Sequence, residues 1–121
     1  MSNRILITDD AHFMRATLKN ILVNNGFEVV GEAGGGLESV ELYKQLQPDL
    51  VTMDIAMADL NGIAAMKQII LFDPTVKVII CSAMAQRDLV VEAIHAGAKD
   101  FIVKPFQPAS VLEAILKQLA A

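Results

Sequence analysis

Asp9, Asp10, Asp54, Ser82 and Lys104 make up, in this 121-residue chain, a set of acid, hydroxyl and cation suited to one reactive site. They stand directly after short apolar, β-branched runs: Arg4–Thr8 before Asp9-Asp10, Leu50–Met53 before Asp54, Val76–Cys81 before Ser82, and Phe101–Val103 before Lys104-Pro105. In open α/β sheets the ligand site lies at the carboxyl ends of the strands, so these side chains are expected at one edge of one sheet. Three carboxylates drawn into one cleft repel one another, an arrangement that persists when a divalent cation sits among them. Oxygen ligands without Cys or His point to Mg²⁺, with Mn²⁺ as the alternative. Lys104 adds a positive charge and Ser82 a hydroxyl donor. Metal, cation, donor and carboxylate nucleophile are what a phosphoryl group in transfer needs, and they predict phosphorylation of an aspartate.

Taken singly, each residue has a plainer role. An Asp pair after a strand often caps the next helix, Asp54 could belong to a turn, Ser82 could cap the helix after it, and Lys104 could be a solvated charge. It is their joint occurrence at four strand ends that favours a shared site.

The hydrophobic pattern shows which strands and helices would carry these side chains. With Phe27–Glu32, the runs above make five strands. Between them the apolar residues fall at helical spacing: Met14, Leu18, Ile21 and Leu22; Leu37, Val40 and Tyr43; Ile63, Met66, Ile69 and Ile70. Leu89, Val90, Ala93 and Ile94, then Val111, Leu112, Ile115, Leu116 and Leu119, continue the pattern after the fourth and fifth strands. Such alternation forces parallel strands joined by right-handed crossovers. The expected fold is α/β: a doubly wound, five-stranded parallel sheet with helices on both faces, flavodoxin-like, in one domain over residues 1–121. Asn24-Asn25-Gly26, Gln47-Pro48, Asp73-Pro74 and Ala96-Gly97 punctuate the first four helices, and Gly34-Gly35-Gly36 reads as a flexible turn.

Hydrophobic residues make up 54% of the chain, enough to bury roughly two-thirds of the unfolded surface in a core. Ten basic against fourteen acidic residues, with no basic tract, argue against direct nucleic-acid binding. The most apolar stretches, Val76 to Ala85 and Leu89 to Ala98, are interrupted by polar groups well short of the ~18 apolar residues a membrane span needs. Arg4 leads too quickly to Asp9 for a signal peptide, and the single Cys81 excludes an internal disulfide and a cysteine zinc site. A cytoplasmic protein is expected.

Longer stretches carry a family resemblance: Ile5-Leu6-Ile7-Thr8-Asp9-Asp10, Phe13-Met14-Arg15, Pro48 through Asp54, Leu60-Asn61-Gly62, Ser82-Ala83-Met84, and Gly97 through Phe106. Over its whole length the chain resembles the receiver domains of response regulators, in particular the stand-alone chemotaxis (CheY) type. The resemblance implies that Asp54 is the phosphoacceptor, that Asp10 ligates Mg²⁺ directly with the backbone carbonyl of Ala56, and that Asp9 acts largely through metal-bound water. It implies that Ser82 is the switch hydroxyl, that Lys104 pairs with the phosphoryl group, that Phe101 follows Ser82, and that Lys104-Pro105 is cis. It also implies a CheA-like histidine kinase as donor, a FliM-like flagellar switch protein as target, a possible phosphatase, and a monomer. A phosphorelay intermediate, or a receiver separated from its output domain, is the alternative within the family.

Several positions depart from the common family pattern. Ala58 replaces a Pro, which predicts a more mobile loop after Asp54; Phe101 replaces a Tyr; and Ala56 and Met84 offer no polar group to place a hydrolytic water, which predicts slow dephosphorylation. A metal-dependent phosphatase would place its nucleophile in an Asp-x-Asp, whereas Asp9-Asp10-Ala11 stands here, and flavin binding lacks a Ser/Thr-rich loop after the first strand. His12 and His95 read as surface residues, Cys81 as core, and Met14 and Met57 as candidates to line the cleft.

Overall fold

Among residues 3–121, which the computed structural model describes, strands and helices alternate from end to end. The order is β1 (Arg4–Thr8), α1 (His12–Asn24), β2 (Glu28–Ala33), α2 (Gly36–Leu46), β3 (Leu50–Asp54), α3 (Gly62–Phe72), β4 (Val78–Ala83), α4 (Arg87–Ala96), β5 (Asp100–Lys104) and α5 (Pro108–Ala120), with a 3-10 turn at Met84–Gln86. All strand pairs are parallel, in the order β2-β1-β3-β4-β5, the doubly wound order shared by flavodoxin and CheY-type domains. The chain reverses direction across the sheet between β1 and β3, which opens a crevice at their carboxyl ends.

Alternation along each strand divides the core in two. Ile5 and Ile7, Leu50, Ile79 and Cys81, and Ile102 face α1 and α5. Leu6, Val51 and Met53, and Val78 and Ile80 face α2, α3 and α4. β1, β3 and β4 are buried along almost their whole length, as uniformly apolar strands between two helix layers should be. The edge strand β5 departs from that expectation, burying Ile102 while Phe101 and Val103 stay exposed.

Strand ends run further than the apolar runs suggested. Asp54 and Lys104 are the last residues of β3 and β5, and Ser82 lies inside β4, because the ladders pair Asp54 with Cys81, Ser82 with Val103 and Ala83 with Lys104. β4 begins at Val78 rather than Val76, whose amide closes a turn on the Asp73 carbonyl.

At the opposite end of the sheet, α2 and α3 are joined by a polar contact inside an apolar seam. The Tyr43 hydroxyl donates to Asp73 at 2.7 Å, and its ring meets Phe72 edge-on at 6.3 Å. The Tyr43 hydroxyl, then the Thr75 donors, hold the Asp73 carboxyl below its ordinary 3.8. Tyr43→Phe is expected to cost about 1 kcal/mol near neutral pH, as for one screened hydrogen bond to a charge. A carboxyl lowered in the fold contributes fully above about pH 4 and loses that contribution as pH falls through its native value. Urea unfolding should therefore separate the two proteins at pH 7 and bring them together in strong acid; an equal gap at both would exclude the Asp73 bond as the cause.

Candidate functional site

The pleat brings the acidic residues together. Ile5, Ile7 and Asp9 share one face of β1 and its extension, as do Leu50, Thr52 and Asp54 on β3, and Ile102 and Lys104 on β5. The Asp9 amide continues the ladder by donating to the Ala33 carbonyl at 3.1 Å. Carboxylate oxygens of Asp9, Asp10 and Asp54 lie within 4.8 Å of one another, Asp9 and Asp54 buried and Asp10 exposed. Lys104 reaches in from β5, with Nζ 2.8 Å from Asp9 and 3.3 Å from Asp54.

Three carboxylates against one ammonium leave two negative charges uncompensated, which matches a divalent cation in charge and in its preference for oxygen donors. The crowding shows in the acidity of the groups. Burial, then the charge of Asp9, push the Asp54 carboxyl up to about 6 against the opposing pull of Lys104. Burial by itself would lower the Lys104 ammonium, but Asp9 and Asp54 outweigh it and its pKa rises.

The plainer single-residue roles do not describe this arrangement. α1 is capped by Ala11 with no side-chain bond, and Asp9 Oδ1 instead accepts the Ala11 amide at 2.9 Å in a local turn. Ser82, 1% exposed, has a buried hydroxyl with no hydrogen-bond partner, so it caps nothing. An orphaned buried hydroxyl costs about 1–3 kcal/mol unless something supplies an acceptor. Ser82 and Phe101 line one groove of about 380 Å³ with Met84, Arg87, Val90 and Val103. Phe101 is 44% exposed at its rim. Ala56, in the loop after Asp54, is exposed, and Lys104-Pro105 is cis as the resemblance implied.

His12 is an exposed first residue of α1 outside the carboxylate cluster, and His95 is exposed on α4. Cys81 is buried, and that burial pushes its thiol up to about 12. Met57 does not line the cleft; it is buried in the core on the side of the sheet that α2, α3 and α4 cover, and Met14, on α1, is half-buried against the core on the opposite side.

Other contributors went unassigned in the sequence. Arg15, one turn into α1, donates to the Asp9 carbonyl and pairs with Glu32 on β2 at 3.4 Å, fixing the backbone of the acidic pair. Its place in Phe13-Met14-Arg15 marked it, but the contact spans separate elements. Gly62 packs its backbone against Asp54: its amide donates to the Ile55 carbonyl at 2.8 Å, and a Cβ there would run into the Asp54 carbonyl oxygen. Asp59, in the loop after β3 and remote in sequence from α2, holds the turn at Gly34-Gly35-Gly36, which is thereby pinned rather than flexible.

Known proteins resemble the chain in sequence and in structure. Residues 5–116 match the response regulator receiver domain family. The chain is 60% identical over 117 residues to the chemotaxis protein CheY of Thermotoga maritima, covering 97% of this chain and 98% of the relative. It is also 60% identical over 119 residues to that of Bacillus subtilis, covering 98% and 99%. Among solved structures, the response regulator domain of T. maritima CheB superposes with a TM-score of 0.92 at 38% identity, covering 100% of this chain and 98% of that one. A CheX-CheY-BeF3-Mg complex from Borrelia burgdorferi superposes with a TM-score of 0.90 at 37% identity, covering 94% and 87%. Fold and sequence agree over almost the whole chain, which belongs to the response regulator receiver domain family and closely matches the CheY chemotaxis proteins of two-component, phosphorylation-activated signalling.

Proposed function

We propose that residues 1–121 act as one receiver domain in which Asp54 takes a phosphoryl group from the phosphohistidine of a CheA-like kinase. The observation that carries this is the placing of a buried carboxylate, Asp54, 3.3 Å from Lys104 and beside Asp9 and Asp10, next to a strand whose Ser82 hydroxyl lacks an acceptor. Asp9, Asp10, Asp54 and the Ala56 carbonyl would hold Mg²⁺, or Mn²⁺ in its place. Bound there, the ion would neutralise charge on the phosphoryl oxygens.

An Asp54 carboxylate oxygen attacks phosphorus in line as the bond to the imidazole nitrogen breaks, and that nitrogen keeps the electron pair. Lys104, already between Asp9 and Asp54, moves its ammonium to a phosphoryl oxygen. Ser82 then donates its hydroxyl to another. The new group carries about −1.5 to −2 charges, enough to bias β4 and its following turn toward these contacts. Phe101 turns from the rim into the groove it shares with Ser82, which changes the α4–β5 surface offered to a FliM-like motor protein. The protein thus catalyses only its own phosphorylation and dephosphorylation, as a monomer in the cytoplasm. A phosphatase partner is consistent with the Borrelia relative, solved with CheX, BeF3 and Mg.

The experiment is intact mass after incubation with acetyl phosphate and Mg²⁺, followed by the decay of the adduct. Ala56 and Met84 are both exposed and offer no group to orient a water, so decay should be slow. Ala56→Asn supplies such a group and should speed decay by about tenfold, below the ~100-fold or more of a full general base. An unchanged or slower decay would remove water positioning at residue 56 as the cause.

A further inference from the structure

We infer that Asp59 is a positioning residue for the phosphorylation site: its carboxylate ties the loop between β3 and α3 to the first turn of α2, and thereby sets the cation affinity of the Asp9, Asp10 and Asp54 cluster. The inference rests on the proposed role of that cluster in holding Mg²⁺.

Asp59 lies five residues after Asp54, on the loop that carries Ala56. Its Oδ1 accepts the Gly36 amide at 3.0 Å and its own neighbour's amide, Leu60, at 2.7 Å, while Oδ2 accepts the Leu37 amide at 3.2 Å. One carboxylate thus gathers amides from its own loop and from the first turn of α2. The approach is close enough that a Cβ at Gly35 would sit 2.8 Å from both carboxylate oxygens, and one at Gly36 would run into the Leu60 carbonyl. The glycines permit the contact. Across the same turn, Glu38 accepts the Gly34 amide at 2.7 Å, so the receiving side is itself fixed.

The tether closes one wall of a cleft of about 450 Å³ that Asp10 shares with Gly34, Gly35, Glu38, Ala58 and Asp59. The far end of the loop is held by the Gly62 amide on the Ile55 carbonyl. Between these anchors the buried side chain of Met57 holds the middle of the loop, while Ala56 and Ala58 on either side of it are exposed and have no polar side chain of their own. With Ala at 58, no fixed φ stiffens the segment, and the Asp59 carboxylate supplies the restraint from outside. The bonds from Gly36, Leu37 and Leu60 keep its carboxyl below the ordinary 3.8, so it is ionised wherever the cluster can bind a cation. Without the tether, the Ala56 carbonyl must be ordered at the moment the cation binds, and affinity falls by that cost.

Removing the carboxylate also removes a negative charge near the cluster, so the test needs variants that keep it. Mg²⁺ titrations followed by ¹H–¹⁵N NMR, with Tm and the rate of phosphorylation by acetyl phosphate, would compare the wild type with Asp59→Asn, Gly35→Ala and Asp59→Glu. Gly35 is extended at φ −168, which Ala adopts freely, but its Cβ displaces the carboxylate while the charge stays. Asp59→Glu keeps the charge one methylene further out and serves the same purpose should Gly35→Ala fail to fold. All three are expected to weaken Mg²⁺ binding by about threefold to tenfold, less than the ~10–100-fold of a group bonded directly to a metal ligand. The phosphorylation rate at saturating Mg²⁺ should stay near that of the wild type. Weakening confined to Asp59→Asn would mean lost charge alone and overturn the inference. A lower Tm with unchanged Mg²⁺ affinity would do the same, leaving Asp59 a helix cap. A wild type that binds no Mg²⁺ and takes no phosphoryl group would withdraw the proposed function itself, a result visible before any variant is compared.

Discussion

Asp54→Asn is expected to abolish the phosphoryl adduct and to make the metal-free protein more stable. The first effect follows from the nucleophile: an amide has no anionic oxygen to offer phosphorus, and Asp9, the other buried carboxylate of the cluster, already holds Lys104 at 2.8 Å and the Ala11 amide at 2.9 Å. Intact mass after acetyl phosphate and Mg²⁺ should show no increment, and the NMR changes brought by beryllofluoride and Mg²⁺ should vanish. The second effect has the opposite sign because the wild-type cluster is crowded. A carboxyl raised from 3.8 to about 6 by burial and by Asp9 opposes folding once it is ionised. Its penalty is absent below pH 4 or so, grows as pH rises through the native value, and is complete near neutrality. The full shift corresponds to about 3 kcal/mol, and solvent at the open mouth of the cleft screens part of it, so in chelator at pH 7.5 Asp54→Asn should gain about 2 kcal/mol, a gain that shrinks in acid. A variant that still took up phosphoryl groups would move the acceptor elsewhere, while one that was less stable at neutral pH would mean that the carboxylate contributes more as a hydrogen-bond acceptor than it costs as a charge.

Gly62→Ala is expected to damage fold and site together. A Cβ at this position would stand 3.0 Å from the Ile55 Cα and closer still to the Asp54 carbonyl group. The obstructing atoms are backbone, held by the Gly62 amide on Ile55 and by the Ile55 amide on the Cys81 carbonyl, so no side chain can swing aside. Overpacking of this kind costs about 1–3 kcal/mol, which for a domain of this length lowers Tm by roughly 5–10 °C. The strain is relieved by moving the end of β3, which carries the phosphoacceptor. A displacement approaching 1 Å would slow acetyl phosphate transfer by about tenfold to a hundredfold. Loss of stability with a normal transfer rate would show that α3 shifts and Asp54 stays. Circular dichroism melts with timed intact-mass measurements separate the two outcomes.

Much of this protein was legible in its sequence because two kinds of signal are local. The period of two in Ile5, Ile7 and Asp9, or in Leu50, Thr52 and Asp54, is imposed by the pleat whatever the sheet does, so it told which residues share a face. Asp9, Asp10, Asp54, Ser82 and Lys104 stood out because the plainer role each has singly does not account for all of them together at four strand ends. Strand ends were less legible. β3, β4 and β5 run onto Asp54, Ser82 and Lys104 because neighbouring strands supply the pairing, and apolar content does not record a partner's length.

What depended on approach between distant segments could not be read from spacing. Gly34-Gly35-Gly36 looked like slack and is instead the receiving surface for Asp59, twenty-three residues from Gly36. The substitution at Ala58 suggested a loose loop, yet the neighbouring carboxylate anchors it. Gly62 gave no sign that its missing Cβ leaves room for the Asp54 backbone, and Arg15 none that it would brace Asp9. Alternation, hydropathy and charge act over a few residues, so the doubly wound parallel sheet and the chemical character of the cleft were readable along the chain. That Lys104 bridges Asp9 and Asp54, that Ser82 is left without an acceptor, and that the Asp59 loop locks onto α2 were not readable in this way, because they follow from distances set by the packing of both helix layers on one sheet.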